Sequence, residues 1–351
     1  MELYFMNRDF SPAGGPAEGF TSVVWSERYF EPGTFTLHFP RTLLPEIGEA
    51  AYVRSAPLSD GSILCGRIEF LRTGEDGDCE LGGRMLESLL CDRVLAGRSS
   101  VTGGLTEGIL SAVSANLRNL GVRIGEEQAE LPESVTLCWE WDNLSDWLYA
   151  ALRPFGASYR ITLDPETLRP VFRIVRGTDR SSDSDGTVQR AVFSASFGNL
   201  MSLTLERESG ALRTFAYVEG RDGTVVSVDG TGGDASLRRE LHRKAADIDP
   251  DDFASDGAYR AALARRGEEL LAGYPEGLSV SAECEPDALP RYGVDYALGD
   301  VCDVADDGLG ISFALRLTAA DRVWEDGRET LYPSFGEEVR GVKRLLAKLK
   351  G

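Results

Sequence analysis

Residues 293–336 constrain the fold of this chain most, because nearly every position in this segment favours a β conformation. Apolar and polar residues alternate from 311 to 318, which is typical of a strand that buries one face. The Asp-Gly pair at 326–327 suits a two-residue hairpin loop in which both residues have positive φ. Such a loop places Glu325 opposite Arg328, a favourable cross-strand pair. The segment therefore predicts a β-meander.

The same segment also indicates where the strands of the meander begin, bend and end. Residues 301–304 predict a short strand, and the Asp and Gly cluster at 306–310 predicts the turn that reverses it. The sequence Ala-Ala-Asp at 319–321 interrupts the apolar face. It indicates a bulge, or a strand that passes from one sheet to another. Pro-Ser-Phe-Gly at 333–336 predicts the end of the last strand.

The motifs of this segment resemble the C-terminal barrel of siphophage tail-hub proteins. These are the tail-associated proteins of the tail tip, related in fold to the baseplate hub of contractile phages. A Tyr-x-Leu-Gly-Asp strand, a Gly-Ile strand with a later Arg, a Glu-Asp-Gly hairpin and a Pro-x-Phe-Gly end follow one another in the family's order. The matching residues are Asp295, Tyr296, Leu298, Gly299, Asp300, Gly310, Ile311, Arg316, Glu325, Asp326, Gly327, Pro333, Phe335 and Gly336.

Two earlier parts of the chain resemble the same family, so that the resemblance extends from about residue 28 to residue 336. The N-terminal motif resembles the first hub barrel, and a motif near the middle resembles the start of the second. The N-terminal matches are Arg28, Tyr29, Gly33, Phe35, Leu37, Pro40, Gly66, Ile68, Gly83, Arg84, Leu86, Leu89, Leu90 and Arg93. The later matches are Val192, Phe193, Ser194, Gly198, Asn199, Leu200, Tyr217, Val218, Glu219 and Gly220.

Composition indicates a globular protein of two or three domains. The chain has 351 residues, of which 42% are apolar, enough to bury a sizeable core. It contains no run of about 18 apolar residues, so we expect no membrane span. The first ten residues lack a basic region followed by an apolar one, so we expect no secretory signal.

Cysteine usage and net charge exclude further classes of function. The six cysteines form no Cys-x-x-Cys pair, which favours free buried thiols in a reducing compartment. The net charge of −20 argues against binding to nucleic-acid phosphates, because such binding needs clustered Lys and Arg. We therefore expect no sequence-specific nucleic-acid binding.

The order of elements predicts an α+β protein. Residues 1–95 are mostly strands and form an N-terminal β-barrel hub domain, and 96–187 form an α/β domain with an acidic linker. Residues 188–336 form a second β-barrel hub domain with a helical insertion at about 234–275, and 337–351 form an amphipathic helix. The division into two tube-like barrels is what the family resemblance implies.

Local signals place the individual helices and turns. A helix is predicted over 83–90, and another over 106–120 with Gly121 as its C′ residue. Asn143 is the expected N-cap of a helix over 144–155, and residues 159–163 and 171–175 predict a hairpin. The remaining predictions are a polar linker at 180–186, strands at 191–196, 201–207, 214–219 and 224–228, and helices at 234–244, 258–274 and 337–350.

No catalytic or metal-binding constellation stands out in the sequence. The two histidines, His38 and His242, have no Cys or His partner at zinc spacing. We expect His38 on the wetter face of a sheet and His242 in solvent on a helix. The acidic runs 179–185 and 247–252 lack the ligand pattern of a Ca²⁺ loop, and 57 acidic residues make any one carboxylate pair uninformative.

One glycine-rich segment has the spacing of a nucleotide site. Residues 230–235 match Gly-x-Gly-x-x-Ala between a predicted strand and a predicted helix. Asp234 places a negative charge in this loop, and an acidic segment follows the helix where a second parallel strand would be needed. A flexible connection is the better interpretation, and we predict no catalytic, cofactor-binding or metal residues.

The resemblance implies a structural, non-enzymatic protein of the virion tail tip, made in the cytoplasm of the bacterial host. Such a hub is a homotrimer that closes the tail tube and connects it to distal tail, tape measure or fiber proteins, while allowing DNA to pass. Two alternatives remain open: a glycan hydrolase, which would need a perturbed carboxylate pair, and a glycan-binding β-module, which would show an exposed aromatic platform.

Overall fold

The computed structural model describes residues 2–58, 61–74, 77–275, 277–283, 288–306 and 310–338. The first elements are β1 (Leu3–Met6), β2 (Pro12–Ala17), β3 (Ser22–Arg28), β4 (Thr34–Pro40), α1 (Leu44–Ile47), β5 (Tyr52–Ser55), β6 (Cys65–Thr73) and β7 (Asp78–Met85). The middle elements are β8 (Arg98–Gly104), α2 (Leu105–Asn116), β9 (Arg123–Ile124), β10 (Ser134–Glu140), α3 (Leu144–Leu152), β11 (Ala157–Leu163) and β12 (Pro170–Arg176). The last elements are β13 (Val192–Ser194), β14 (Ser202–Glu208), β15 (Phe215–Gly220), β16 (Val225–Asp229), β17 (Glu240–Ala245), α4 (Asp256–Ala272), β18 (Gly277–Glu283), β19 (Val301–Asp306), β20 (Ile311–Glu325) and β21 (Arg328–Glu338). The protein is therefore α+β, with far more strand than helix.

One sheet of 13 strands joins the two β segments at the ends of the chain. Its main path runs β14-β18-β21-β20-β3-β4-β7-β6-β5-β1-β2, and β19 and β13 pair beside β20. Strand β20 is the link, because residues 311–316 pair with β19 and residues 319–325 pair with β3. The predicted interruption at 319–321 thus marks the point where β20 changes partner. The division into two separate barrels stays a prediction.

The hairpin between β20 and β21 has the predicted register and turn. Glu325 lies opposite Arg328, and Asp326 and Gly327 have φ values of 51° and 76°. Positive φ at both loop positions is the geometry of a type I′ turn, whose twist matches that of the flanking strands. The turn chemistry of two residues therefore set the register of the longest strand pair.

Buried apolar side chains of the described residues form four clusters. The largest joins α2, α3, β11 and β12, and a second surrounds Trp25 in the N-terminal β segment. A third surrounds Phe193 and Phe335 in the C-terminal β segment. The fourth lies between α4 and the small sheet β16-β15-β17, around Tyr259, and Cys138 of β10 also belongs to it. The insertion therefore has its own core and packs on the middle unit.

Several local predictions are confirmed by the described elements. The side chain of Asn143 accepts hydrogen bonds from the backbone N–H groups of Ser145 and Asp146 at the start of α3. Gly156 ends this helical stretch with a φ of 62°. Strands β11 and β12 form the expected antiparallel hairpin, and α4 covers most of the predicted helix over 258–274.

The predicted helix over 234–244 is wrong. Only a three-residue 3-10 turn, Ala235–Leu237, is helical, and β17 then pairs in parallel with β15. His242 lies on this strand, is exposed, and contacts the Glu219 carboxylate of β15 at 3.1 Å. Pairing with a distant strand has outweighed the helix propensity of Leu, Arg and Lys. Exposure of His242 was predicted correctly, whereas its helical setting was not.

Two other predicted helices begin or end elsewhere. Residues 83–85 belong to β7, and a 3-10 helix follows over Leu86–Asp92, because β7 pairs with β4 and β6 up to Met85. Helix α2 ends at Asn116, so Gly121 is not its C′ residue. Asn116 itself bonds the helix carbonyl of Ala112 and the N–H of Ala96, which ties this end to the neighbouring loop.

The predicted end of the meander at 333–336 is also wrong. Strand β21 continues through Pro333 and Phe335 to Glu338, where it pairs with Leu315 of β20. Phe335 is fully buried in the third cluster, so burial keeps this part of the chain extended. A helix therefore does not begin at Glu337. The rest of the predicted C-terminal helix, residues 339–351, lies outside the described residues.

Replacing Gly327 with valine should destabilise the protein by about 1–3 kcal/mol, because a β-branched residue is strained at positive φ. A Cβ atom at Gly327 would meet no neighbouring atom within 4 Å, so backbone strain is the main expected cost. Urea denaturation of Gly327→Val measures this cost. Gly103→Val is the matched control, since Gly103 is also open but lies in β8 without positive φ. Equal loss of stability in both variants would contradict the type I′ assignment.

Candidate functional site at the junction of the two β segments

The family motifs from the two ends of the chain meet at Tyr29, which directly follows β3. Its hydroxyl donates to the carbonyl of Gly156 at 3.1 Å and accepts from the N–H of Gly177 at 3.2 Å. The backbone of Gly299 passes close to the Tyr29 ring. A Cβ atom on Gly299 would overlap that ring, and the φ of Gly299 is 94°. Only glycine satisfies both conditions.

Arg316 of β20 also takes part in this contact. Its Nη1 donates to the carbonyl of Gly299 at 2.6 Å, and its guanidinium lies 5.8 Å from the centre of the Tyr29 ring. The residue is only 8% exposed, although the alternating pattern placed it on the polar face of a half-buried strand. The polar face of β20 is therefore buried at the junction. An arginine is used there because it bonds a carbonyl and contacts an aromatic ring together.

Asp300 ties the next segment of the chain to the same place. One carboxylate oxygen accepts from the N–H of Thr178 at 2.7 Å, and the other contacts Nε of Arg180 at 2.6 Å and accepts from the N–H of Ala297 at 3.0 Å. Asp303 likewise accepts from the N–H of Ser182 at 2.7 Å. The segment at 180–186, predicted as a linker from its composition, is thus held by hydrogen bonds at its start.

A second polar cluster lies between the middle unit and the sheet. Arg160 of β11 contacts the carboxylates of Glu27 at 2.8 Å and Glu87 at 3.2 Å, and the Tyr292 hydroxyl donates to Glu27 at 2.9 Å. Burial disfavours the charged guanidinium, but the two carboxylates outweigh it and raise the pKa of Arg160. Burial and the Glu27 charge also raise the pKa of Tyr292. The cluster joins two parts of the chain through ion pairs and the third through the hydrogen bond of Tyr292.

The polar groups at this junction hold the parts of the chain together. Burial raises the pKa of Cys138 to about 12 and raises those of Cys65 and Cys302 as well, so these thiols remain protonated and are poor nucleophiles. His38 is exposed on β4, as predicted. Within the described ranges, no group of three His, Cys, Asp or Glu side chains could hold a metal ion. The same part of the chain has no helix that is long and apolar enough to cross a bilayer.

A cleft of about 310 Å³ lies where the insertion meets the middle unit. Asp146, Arg265, Arg266 and Glu269 are among its lining residues. Burial raises the pKa of Glu269, as in a general acid, but Arg266 and Arg265 oppose this effect. Glu269 lies 3.4 Å from Arg265 and 3.3 Å from Arg266, and Arg266 also contacts Asp247 at 2.6 Å. All of these ion pairs lie within the insertion, whereas Arg98 of β8 joins it to the middle unit through a contact with Asp249 at 2.8 Å.

The glycine-rich segment 230–235 lacks the context of a nucleotide site. The side chain of Asp234 accepts from the N–H of Ser236 at 2.9 Å and caps the three-residue 3-10 turn. Strand β17 follows this turn, so no helix dipole points at the loop. The absence of a following α-helix removes the main support for that alternative.

Two aromatic side chains stand out from the described surface. Trp141 is 63% exposed and has a φ of 58°, which is unusual for a residue with a side chain. Its backbone N–H donates to the carbonyl of Gly97 at 3.1 Å. Phe197 is similarly exposed in the loop between β13 and β14. Sequence patterns gave no signal for either residue, because exposure of a lone aromatic depends on the fold around it.

The fold is that of phage tail proteins. A 43 kDa tail protein of prophage MuSo2 from Shewanella oneidensis is 13% identical, with a TM-score of 0.58 over 95% of this chain and 98% of that one. A tail protein from Neisseria meningitidis MC58 is 13% identical, with a TM-score of 0.59 over 96% of both chains. The prophage tail protein gp18 from Listeria monocytogenes EGD-e is 11% identical, with a TM-score of 0.53 over 100% of this chain and 98% of that one. At these identities the likeness concerns the fold alone.

The family assignment rests on the sequence. The model of the Siphovirus ReqiPepy6 Gp37-like proteins matches residues 58–337, and the chain belongs to this family. A comparison with curated protein sequences gave no match. Membership confirms the predicted relationship to siphophage tail proteins.

Replacing Gly299 with alanine should cost about 2–6 kcal/mol, the sum of overpacking against Tyr29 and strain at positive φ. Gly310→Ala is the control, because Gly310 also has positive φ, but a Cβ atom there would meet no atom within 4 Å. Its cost should be about 1–2 kcal/mol. Thermal denaturation of both variants measures the difference. Equal melting temperatures would show that the approach to Tyr29 is not a tight constraint.

Proposed function

We propose that this protein is a structural hub of the siphovirus tail tip, without enzymatic activity. The observation that carries the proposal is the junction at Tyr29, Gly299 and Arg316. There the two β segments, from opposite ends of the chain, are fixed to each other by close packing and hydrogen bonds. Membership of a siphovirus tail-protein family supports the tail location. A component of a ring that resists deformation needs a rigid connection between its two β segments.

The hub is proposed to be a homotrimer in which each subunit contributes two tube-like β-barrels. Six barrels would let a threefold tip meet a sixfold tube. The net charge of −20 supports DNA passage, because an acidic channel wall repels phosphate and prevents sticking. The partners on either side are the tail tube, and distal tail, tape measure or fiber proteins. In this role the hub closes the tube and connects it to the tip.

We propose the absence of catalysis from the protonation and the ion pairing of the reactive groups in the described residues. The cysteines with raised pKa are thiols, and Glu269 is held between two guanidinium groups. A retaining or inverting glycosidase needs two carboxyl groups free to exchange protons and to attack. The ion pairs of the cleft oppose that requirement.

Glycan binding is the second candidate, and Trp141 is the observation that favours it. An exposed indole held at positive φ can stack on the apolar face of a sugar ring. Asp142 and Asn143 follow directly in the chain and line the adjoining cleft. This function would add host recognition to a structural protein.

Electron microscopy of tail particles carrying a label on this protein should show three copies in a ring at the distal end of the tube. Superposition of the two β segments of one subunit should give a rotation of about one sixth of a turn, since six barrels share the ring. A copy number other than three, or a label along the tube, would refute the hub assignment.

Screens with peptidoglycan, polysaccharide and ester substrates should give no turnover, and glycan arrays should give no binding. If an array does show binding, Trp141→Ala should abolish it, whereas Phe197→Ala, which removes an equally exposed ring elsewhere, should not. Binding that Trp141→Ala removes would establish the glycan-binding function. Turnover that one carboxylate substitution abolishes would establish a hydrolase.

A further inference from the structure

Strand β17 is an open sheet edge with an unusual charge. It is the last strand of the small sheet β16-β15-β17 and pairs with β15 alone among the described strands. Residues 238–244, Arg-Arg-Glu-Leu-His-Arg-Lys, carry four basic groups and one acidic group in a chain whose net charge is −20. The basic side chains are exposed. An extended segment could therefore add to this edge, and an acidic one would be attracted to it.

Two of these cations have no carboxylate partner among the described residues. Arg238 contacts Glu240 at 2.6 Å, and Lys244 contacts Glu219 at 3.1 Å. Arg239 instead donates to the carbonyl of Ser209, and Arg243 lies 3.5 Å from the Tyr274 hydroxyl. The edge thus has unmatched positive charge.

A complementary segment lies on the same chain, between β9 and β10. Glu126, Glu127 and Glu130 are exposed, and none of them forms an ion pair within the described structure. The segment has a fixed path, because Gln128 accepts from the N–H of Ile174 at 2.7 Å and donates to the carbonyl of Gly125 at 2.6 Å. The N–H of Ala129 also donates to the carbonyl of Ile174, at 2.9 Å. The glutamates are therefore presented from an irregular segment that is anchored to β12 at Ile174.

We propose that the acidic segment 126–130 of one copy binds the cationic edge of β17 on a second copy. No ion pair of the described residues joins the two within a subunit, so each is available to another copy. The contact is head-to-tail, and such contacts generate rings when the rotation closes. The proposal rests on the homotrimer of the proposed function and names the surfaces that would join its subunits. It also supplies local attraction between chains that repel each other overall.

Protection of the edge is the competing explanation. Charged side chains on an edge strand, lysine above all, discourage pairing with other strands. Strand β16, the opposite edge of the same sheet, contains no basic residue and exposes Val225 to 50%. Protection would be expected at both edges of this sheet, whereas only β17 carries cations.

Carbodiimide cross-linking of assembled tail tips tests the contact, because this reagent joins an amine to a carboxylate without a spacer. Lys244 is the only lysine in the first 342 residues and its side chain is 69% exposed, so the link can be mapped. Cross-linked species of twice the subunit mass should contain a bond from Lys244 to Glu126, Glu127 or Glu130. The pair Lys244–Glu219 within one subunit is the positive control for the reaction.

Charge reversal tests the same contact without a cross-link at Lys244. Arg239→Glu with Arg243→Glu should lower the association constant of the full chain about tenfold in sedimentation, because two attractive pairs become repulsive. Adding Glu127→Arg with Glu130→Arg to the same chain should restore it, since every contact in a ring is then complementary again. Arg8→Glu with Arg41→Glu changes the net charge equally at exposed positions elsewhere and controls for overall repulsion.

The outcomes separate this inference from the proposed function. If tips contain a ring of three copies but Lys244 links only to Glu219, and the restored variant assembles no better, the cations protect the edge and this inference is wrong. The trimeric hub would then stand. If adjoining copies are absent from the tips, both proposals fail.

Discussion

The approach of the backbone at Gly299 to the ring of Tyr29 is the contact on which the rest of the structure depends. Tyr29 follows β3 at one end of the chain, and Gly299 precedes β19 near the other. Once these meet, β20 is aligned to pair with β19 over its first half and with β3 over its second. A side chain at Gly299 would separate the two β segments. A single missing Cβ thus permits one continuous sheet to be built from both ends of the chain.

Charged groups are buried beside this contact. Their desolvation costs free energy, which closely placed ion-pair partners must offset. Arg160 forms ion pairs with both Glu27 and Glu87, and Arg180 forms one with Asp300. Removing either partner from such a pair leaves a buried charge and is far more costly than replacing the pair with apolar residues. Ion pairs of this kind therefore contribute little to net stability, but strongly disfavour other packings. In this protein they fix the middle unit at one orientation to the sheet.

Features set by local chemistry could be predicted from the sequence, whereas features set by distant partners could not. The turn at Asp326 and Gly327, the cap at Asn143 and the helix α4 all follow from residues close in the chain. Strand β17 was predicted as a helix because its alternative, parallel pairing with β15, depends on residues about 25 positions away. The end of β21 was misplaced for the same reason, since burial of Phe335 in a distant core decides it.

The junction was predictable in its residues but not in their roles. Tyr29, Gly299, Asp300 and Arg316 were all singled out as motif positions, yet only the fold shows that they touch one another. Arg160, Glu27 and Glu87 carried no signal, because a charged residue is ordinarily exposed to solvent. That these residues are buried, and therefore need ion-pair partners, is apparent only from the complete fold.

The uneven distribution of charge would allow so acidic a chain to form the proposed assembly. Repulsion between subunits of net charge −20 acts over long distances, and at physiological salt it is screened beyond about 8 Å. Pairs in direct contact, such as those proposed between β17 and segment 126–130, are screened much less. Adding salt from a low level therefore weakens the repulsion before it weakens the contacts. Isolated subunits should then remain apart at low ionic strength and associate as it rises, the opposite of what a uniformly attractive surface would do.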